Sequence, residues 1–239
     1  MTRSLWLALI LSALAGPAFA QGLSIDFGND SSLATRSVEI MLLVTVLSIV
    51  PGLAVMVTCF PFIVTVLSIL RQALGLQQSP PNMVIVSLAL FLTWFVMDPV
   101  FTEAWFKGIQ PLTDGKIDVQ TAIPLVAAPF RAFMTARTNP ATFSALQALR
   151  PGATGAAVDA PLSLLVPSFM LSEISRAFEI GFLIYLPFLI IDLVTAAILM
   201  SMGMMMVPPA VVSLPFKLAF FVVADGWTLI SGALVRSYS

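Results

Sequence analysis

The sequence predicts an all-α integral membrane protein: two bent helical hairpins with a small helical periplasmic section between them, completed by oligomerisation. Three observations carry this. Of 239 residues, 59% are hydrophobic and only 10% charged, whereas soluble domains carry about 25% charged residues. Long apolar runs recur at residues 38–70, 83–97, 162–207 and 210–235. Prolines punctuate these runs, and an interior proline removes a helix hydrogen bond and crowds the preceding turn. With no histidine, a single cysteine (Cys59) and a net charge of -1, the chain offers no Ser-His-Asp or Cys-His pair, no zinc ligand set and no basic footprint for nucleic acid. No phosphate-cradling glycine loop is present. The expectation is a non-enzymatic protein without metal or cofactor.

Taken in order, residues 1–20 read as a cleaved signal peptide. Arg3 supplies the positive end, residues 5–15 the short apolar core, and Ala18-Phe19-Ala20 the small-residue cleavage site before Gln21. Residues 21–37 are a short polar segment. Residues 38–101 form the first membrane hairpin. A straight helix over 38–70 would measure about 50 Å against a hydrocarbon core of about 30 Å, so breaks are expected at Pro51-Gly52 and Pro61. Asp98-Pro99 should end the next helix, with Trp94 and Trp105 as interface anchors. Residues 102–163 are the polar section, with helices over 117–138 and 142–149 and a loop at 151–155. Residues 164–239 form the second membrane hairpin.

The sidedness signals conflict. Signal cleavage and two crossings place residues 102–163 outside, yet that section holds Lys107, Lys116, Arg131, Arg137 and Arg150, five of the eleven basic residues. The positive-inside rule prefers the reverse. The section is near the length at which that rule weakens, so the signal peptide decides.

Two groups of residues stand out. Met200, Met202, Met204, Met205 and Met206 crowd around Gly203 and are followed by Pro208-Pro209. Methionine is flexible and polarizable, so a cluster at a helix break suggests a soft seal; ordinary core filling competes. Thioethers also bind Cu(I), but no His or Cys accompanies them. The second group is Glu173, Arg176, Glu179, Asp192 and Lys217, with Asp225 beyond, in strongly apolar surroundings. A charge at the bilayer centre costs at least about 2.5–3.5 kcal/mol, so these must face protein, water or one another. Spacing by three places Glu173, Arg176 and Glu179 along one helix side, and Glu173–Lys217 is the expected pair, within one chain or between copies.

Several long motifs resemble the FliP family of flagellar type III export gate proteins, whose virulence counterparts are called SctR. Leu67-Ser68-Ile69-Leu70-Arg71-Gln72-Ala73-Leu74-Gly75, Gln77-Gln78-Ser79-Pro80-Pro81-Asn82 and Leu88-Ala89-Leu90-Phe91-Leu92-Thr93 resemble the family's first hairpin, and Pro129-Phe130-Arg131-Ala132-Phe133-Met134 its middle section. Pro167-Ser168-Phe169-Met170-Leu171-Ser172-Glu173-Ile174, Ile191-Asp192-Leu193-Val194, Met202-Gly203-Met204-Met205-Met206-Val207-Pro208-Pro209, Leu214-Pro215-Phe216-Lys217 and Asp225-Gly226-Trp227 resemble its C-terminal part. Pro61-Phe62 departs from the Thr-Arg of many relatives.

The resemblance implies an inner-membrane, multi-pass subunit of the flagellar basal body. It further implies several copies, five by family precedent, assembled with FliQ and FliR, with methionines of neighbouring copies lining a gasket. Unfolded flagellar subunits are the implied cargo and membrane lipid the surroundings. Two alternatives remain: the equivalent subunit of a virulence injectisome, or a proton- or ion-conducting subunit using Glu173, Glu179 or Asp192 as a relay.

Overall fold

The computed structural model describes residues 33–76, 79–150 and 155–238. The expected signal peptide, most of the 21–37 segment and most of the 151–155 loop lie outside these. Among the described residues the chain is all-helical. Its elements are α1 (Leu33–Met56), α2 (Phe60–Ala73), α3 (Asn82–Ala104), a π turn (Trp105–Ile109), α4 (Gln110–Thr113), α5 (Val119–Arg137), α6 (Pro140–Ala148), α7 (Leu162–Ser201), α8 (Pro209–Val223) and α9 (Gly226–Arg236). The segments Asn82–Thr113 and Leu162–Ser201 are each long and apolar enough to cross a membrane, and two bent helix pairs add up to two further spans. The chain is an integral membrane protein.

The part of α1 up to Ser48 belongs to a separate unit from the rest of the chain. Its Val38, Met41, Leu42 and Leu47 are exposed. A helix apolar on all sides needs lipid or protein around it.

In the main unit, α2 is the central helix. Phe62, Ile63, Val66, Leu67, Leu70 and Ala73 fall on one side of it at helical spacing and are buried. They pack with Ile85, Ala89 and Met97 of α3 and with Ala177 and Phe188 of α7. Gly181 makes the close α2–α7 approach possible, since a Cβ there would collide with Ile69. Burying a side chain of this size stabilises by about 1.5–3 kcal/mol.

The break expected at Pro61 falls just before the helix whose first turn holds it; the other proline expectations need correcting. Pro51 lies within α1, and the chain turns instead at Val57–Thr58–Cys59. There the Thr58 hydroxyl donates to the Val55 carbonyl (2.8 Å) and accepts from the Phe60 amide (3.3 Å). Pro61 sits in the first turn of α2, where a missing N–H costs nothing. Pro99 lies inside α3, so Asp98-Pro99 does not end that helix. Pro167 and Pro187 lie inside α7, which runs for 40 residues. Neighbouring helices support such residues in membrane proteins. The α8–α9 pair bends by 62°, and the break falls at Ala224-Asp225. Asp225 adopts left-handed backbone angles (φ 47°, ψ 50°), and its carboxylate accepts from the Thr228 hydroxyl at 3.1 Å.

Within the section expected at 102–163, all five basic residues are engaged inside the chain. Lys107 pairs with Glu103 (2.5 Å) and Lys116 with Asp114 (2.9 Å). Arg131 donates to the Ala160 carbonyl (2.5 Å), Arg150 to the Ser163 hydroxyl (2.7 Å), and Arg137 to Glu173 (3.1 Å). Arg131, Arg137 and Arg150 therefore hold this section to α7 and its approach, while the two lysine pairs are local. Asp118 caps α5 by accepting from the Thr121 amide at 3.2 Å. Thr121 holds that carboxyl below its usual range, through its hydroxyl first and its amide second.

Candidate functional site

The methionine cluster forms the tip of the α7–α8 hairpin. Helix α7 ends in a two-bond glycine cap: the Met204 amide donates to the Leu199 carbonyl (3.0 Å) and the Gly203 amide to the Met200 carbonyl (3.1 Å). This cap needs a left-handed residue, and Gly203 supplies it at φ 75°. The Val207 amide then donates to the Met204 carbonyl (3.3 Å), and Pro208-Pro209 start α8. The loop backbone is thus fixed, while its side chains are not enclosed. Met205 is 84% and Met206 98% exposed. Met200 and Met202 are exposed too, and Met204 is partly covered. Met202 and Met204 line an open apolar groove of about 520 Å³ with Ile191, Val194, Ile198 and Phe216.

Below the loop, α7 and α8 are joined by polar groups. The Lys217 ammonium donates to Asp192 Oδ2 at 2.5 Å and to the Ala73 carbonyl at 3.1 Å. The Ser213 hydroxyl donates to Asp192 Oδ1 at 2.5 Å. Lys217 is only 5% exposed, and the Asp192 side chain 31%.

A second polar cluster lies about 28 Å away along α7. Glu173 is fully buried. Arg137 Nε donates to its Oε1 at 3.1 Å, and the Tyr238 hydroxyl donates to its Oε2. Arg137 also donates to the Ser237 carbonyl (2.9 Å) and lies over the Tyr238 ring, 4.1 Å from its centre. Phe62 meets that ring edge-on at 5.5 Å, and Phe133 stacks on it at 6.0 Å. Phe62 is therefore a wall of this cluster.

The expected Glu173–Lys217 pair is not found; each residue has another partner. Two residues nineteen apart on α7 take Arg137 and Lys217 separately, because both lie on one continuous helix that sets them about 28 Å apart. Nor do Glu173, Arg176 and Glu179 act as a group. Each step of three turns back by about 60°, so Glu173 faces inward while Arg176 and Glu179 are exposed and make no ion pair among the described residues. Ser213 and Tyr238 went unnoticed in the sequence, and Arg137 entered only as one of the basic residues of the middle section, not as a partner of Glu173.

Fold and site together define a class: a multi-pass helical membrane protein whose second hairpin presents an uncovered methionine loop on a polar-braced base. The model of the FliP family matches residues 43–234. The chain is 47% identical over 247 residues to the flagellar biosynthetic protein FliP of Agrobacterium fabrum, covering 100% of both chains. It is 42% identical over 217 residues to that of Bacillus subtilis, covering 90% of this chain and 98% of the relative. The Aquifex aeolicus protein of the same name is 41% identical over 233 residues, covering 96% and 97%. The chain belongs to the FliP family.

Proposed function

We propose that this chain, an inner-membrane component of the flagellar export apparatus, is a channel subunit through which unfolded flagellar proteins pass. Its methionine loop forms the constriction that limits ion leakage. Several copies, with FliQ and FliR, surround one axis, and residues 102–163 face the periplasm. Met204, Met205 and Met206 of each copy contribute to a collar, Met200 and Met202 flank it, and Gly203 sets its bend. The observation that carries this reading is the near-complete exposure of Met205 and Met206 on a loop whose backbone is capped at both ends. Flexible apolar side chains in that position close on their neighbours when the channel is empty and mould around any passing sequence. An apolar constriction also resists wetting. No chemistry is asked of the chain; the energy for transport comes from elsewhere.

The test replaces Met204, Met205 and Met206 with Ala in the assembled complex. Ion conductance across the membrane should rise while export of flagellar subunits is at least partly retained, because no polar contact is removed. Replacement by Leu should be milder, since volume and apolarity survive. Unchanged conductance in an assembled triple-Ala complex would return these residues to ordinary apolar filler.

A further inference from the structure

The methionine loop makes no polar side-chain contact that could hold it in place. Its two arms leave it quickly: α7 runs back from Ser201, and α8 starts at Pro209. The nearest groups that fix the arms are Asp192 on α7 and Ser213 and Lys217 on α8. Asp192 Oδ1 accepts from Ser213 and Oδ2 from Lys217, both at 2.5 Å. Both carboxylate oxygens are thereby committed to the partner arm. Lys217 does one thing more: its ammonium reaches the Ala73 carbonyl at 3.1 Å, at the end of α2, in the first hairpin. Helix C-termini carry unsatisfied carbonyls and partial negative charge, which a buried ammonium matches. Leu214, on α8 between Ser213 and Lys217, is also near this end of α2, where a Cβ on Gly75 would lie 3.6 Å from its side chain.

We infer that Lys217 is a positioning residue for the methionine loop: with Asp192 and Ser213 it sets the angle between the two arms, and through Ala73 it refers that angle to the first hairpin. That the loop so positioned is a gate rests on the reading given above. The geometry favours a strut over a relay. A strut needs partners on three elements, and this cluster has them: α2, α7 and α8 each contribute, and Ser213 is fully buried beneath. Such a strut transmits motion. Any displacement of the end of α2 pulls on the Lys217 ammonium and, through Asp192, on both arms of the loop. The half-exposed Asp192 is the point of give, since water can replace one of its bonds.

The experiment measures loop position directly. Spin labels are placed at Met206→Cys and Gln72→Cys in a Cys59→Ser background. Both labelled sites are exposed, and the labelled chain is diluted with unlabelled chain in the full complex so that only distances within one copy are read. Lys217→Met removes both donors while keeping a long side chain, and should shift and broaden the 72–206 distance by several ångströms. Asp192→Asn keeps the shape and an acceptor, so it should broaden the distance without shifting its centre; it is the variant to rely on if Lys217→Met does not assemble. Asp159→Asn, exposed and outside the cluster, should change nothing. Unchanged distances in both cluster variants overturn the inference. Conductance in the same membranes separates the two levels. A moved loop with unchanged conductance keeps Lys217 as the strut and removes the gate; a moved loop with increased leakage supports both.

Discussion

Glu173 and Asp192 stand on the same helix, both carboxylates, both paired to a cation from another element, yet their surroundings are opposite. Glu173 is fully buried, capped by Arg137 and Tyr238 and walled by Phe62 and Phe133. Asp192 keeps about a third of its side chain exposed while holding Lys217 and Ser213. A closed site cannot trade a lost partner for water; an open one can. The first therefore joins the middle section and the C-terminal turn to α7 permanently. The second braces a hairpin that has to carry an uncovered loop. Position along one helix separates a joint from a strut, and the charge itself does not.

The sharpest way to break this contrast is to strand a charge in the closed site. Arg137→Met leaves Glu173 buried with only the Tyr238 hydroxyl, and breaking a buried pair typically costs about 3–5 kcal/mol. Folded, membrane-inserted protein should fall steeply, read by thermal unfolding in detergent. The double replacement Arg137→Met with Glu173→Met should recover much of the loss, because apolar residues of similar volume often replace a buried pair without penalty. A double variant no better than the single would show that Glu173 is needed for more than pairing.

Tyr238 divides the closed site further. Tyr238→Phe keeps the ring against Phe62, Phe133 and Arg137 but removes the donor to Glu173. A hydrogen bond to a charged group is worth about 1.5–3 kcal/mol, so unfolding should move down by a corresponding step. Tyr238→Ala also forfeits the ring contacts and should be worse. Equal effects of Phe and Ala would mean that the hydroxyl, and not the packing, carries the contribution of this residue.

How much of this was legible in advance follows from the range of each signal. The methionine loop, its glycine bend and the proline restart are local: the eight contiguous residues 202–209 carry both the turn chemistry and exposed thioethers. The all-helical membrane class is also local, a matter of apolar runs. The charge partners were not legible. Arg137 and Glu173 are 36 residues apart, and Tyr238 is 65 from Glu173, and nothing in spacing says which cation meets which carboxylate. The prolines misled for a related reason. Pro51, Pro99, Pro167 and Pro187 are interior to helices that continue past them, whereas the breaks at Val57–Cys59 and Ala224–Asp225 carry the Thr58 hydroxyl bonds in the first case and one left-handed aspartate in the second. Local propensity is overridden where neighbouring helices supply what the proline removes.

On the open side of the comparison, Gly203 offers an intermediate effect with a different readout. At φ 75° a Cβ adds about 1–2 kcal/mol of backbone strain, and open space around it means that no clash is added. Gly203→Ala should leave global stability nearly intact while loosening the cap at Leu199 and Met200, because the side chains of the loop are exposed and not packed into the core. Leakage should increase more than unfolding temperature falls. A large drop in stability with no change in leakage would place the loop with the joint and not with the strut.

The smallest expected effect lies on α7 between the two clusters. Arg176 and Glu179 are exposed and make no ion pair among the described residues, and surface changes away from special features usually stay within about 0.5 kcal/mol. Arg176→Gln and Glu179→Gln should therefore be silent in the unfolding of the single chain. In the assembled complex the expectation differs, because charges flanked by exposed Phe178 and Phe182 on a membrane helix need a polar partner from outside the chain. Co-purification of neighbouring copies with each variant reads this. Silence in the single chain with loss of assembly would assign these two residues to a subunit contact, a third use of charge on one helix. Silence in both would leave them solvated and confine the functional charges of α7 to Glu173 and Asp192.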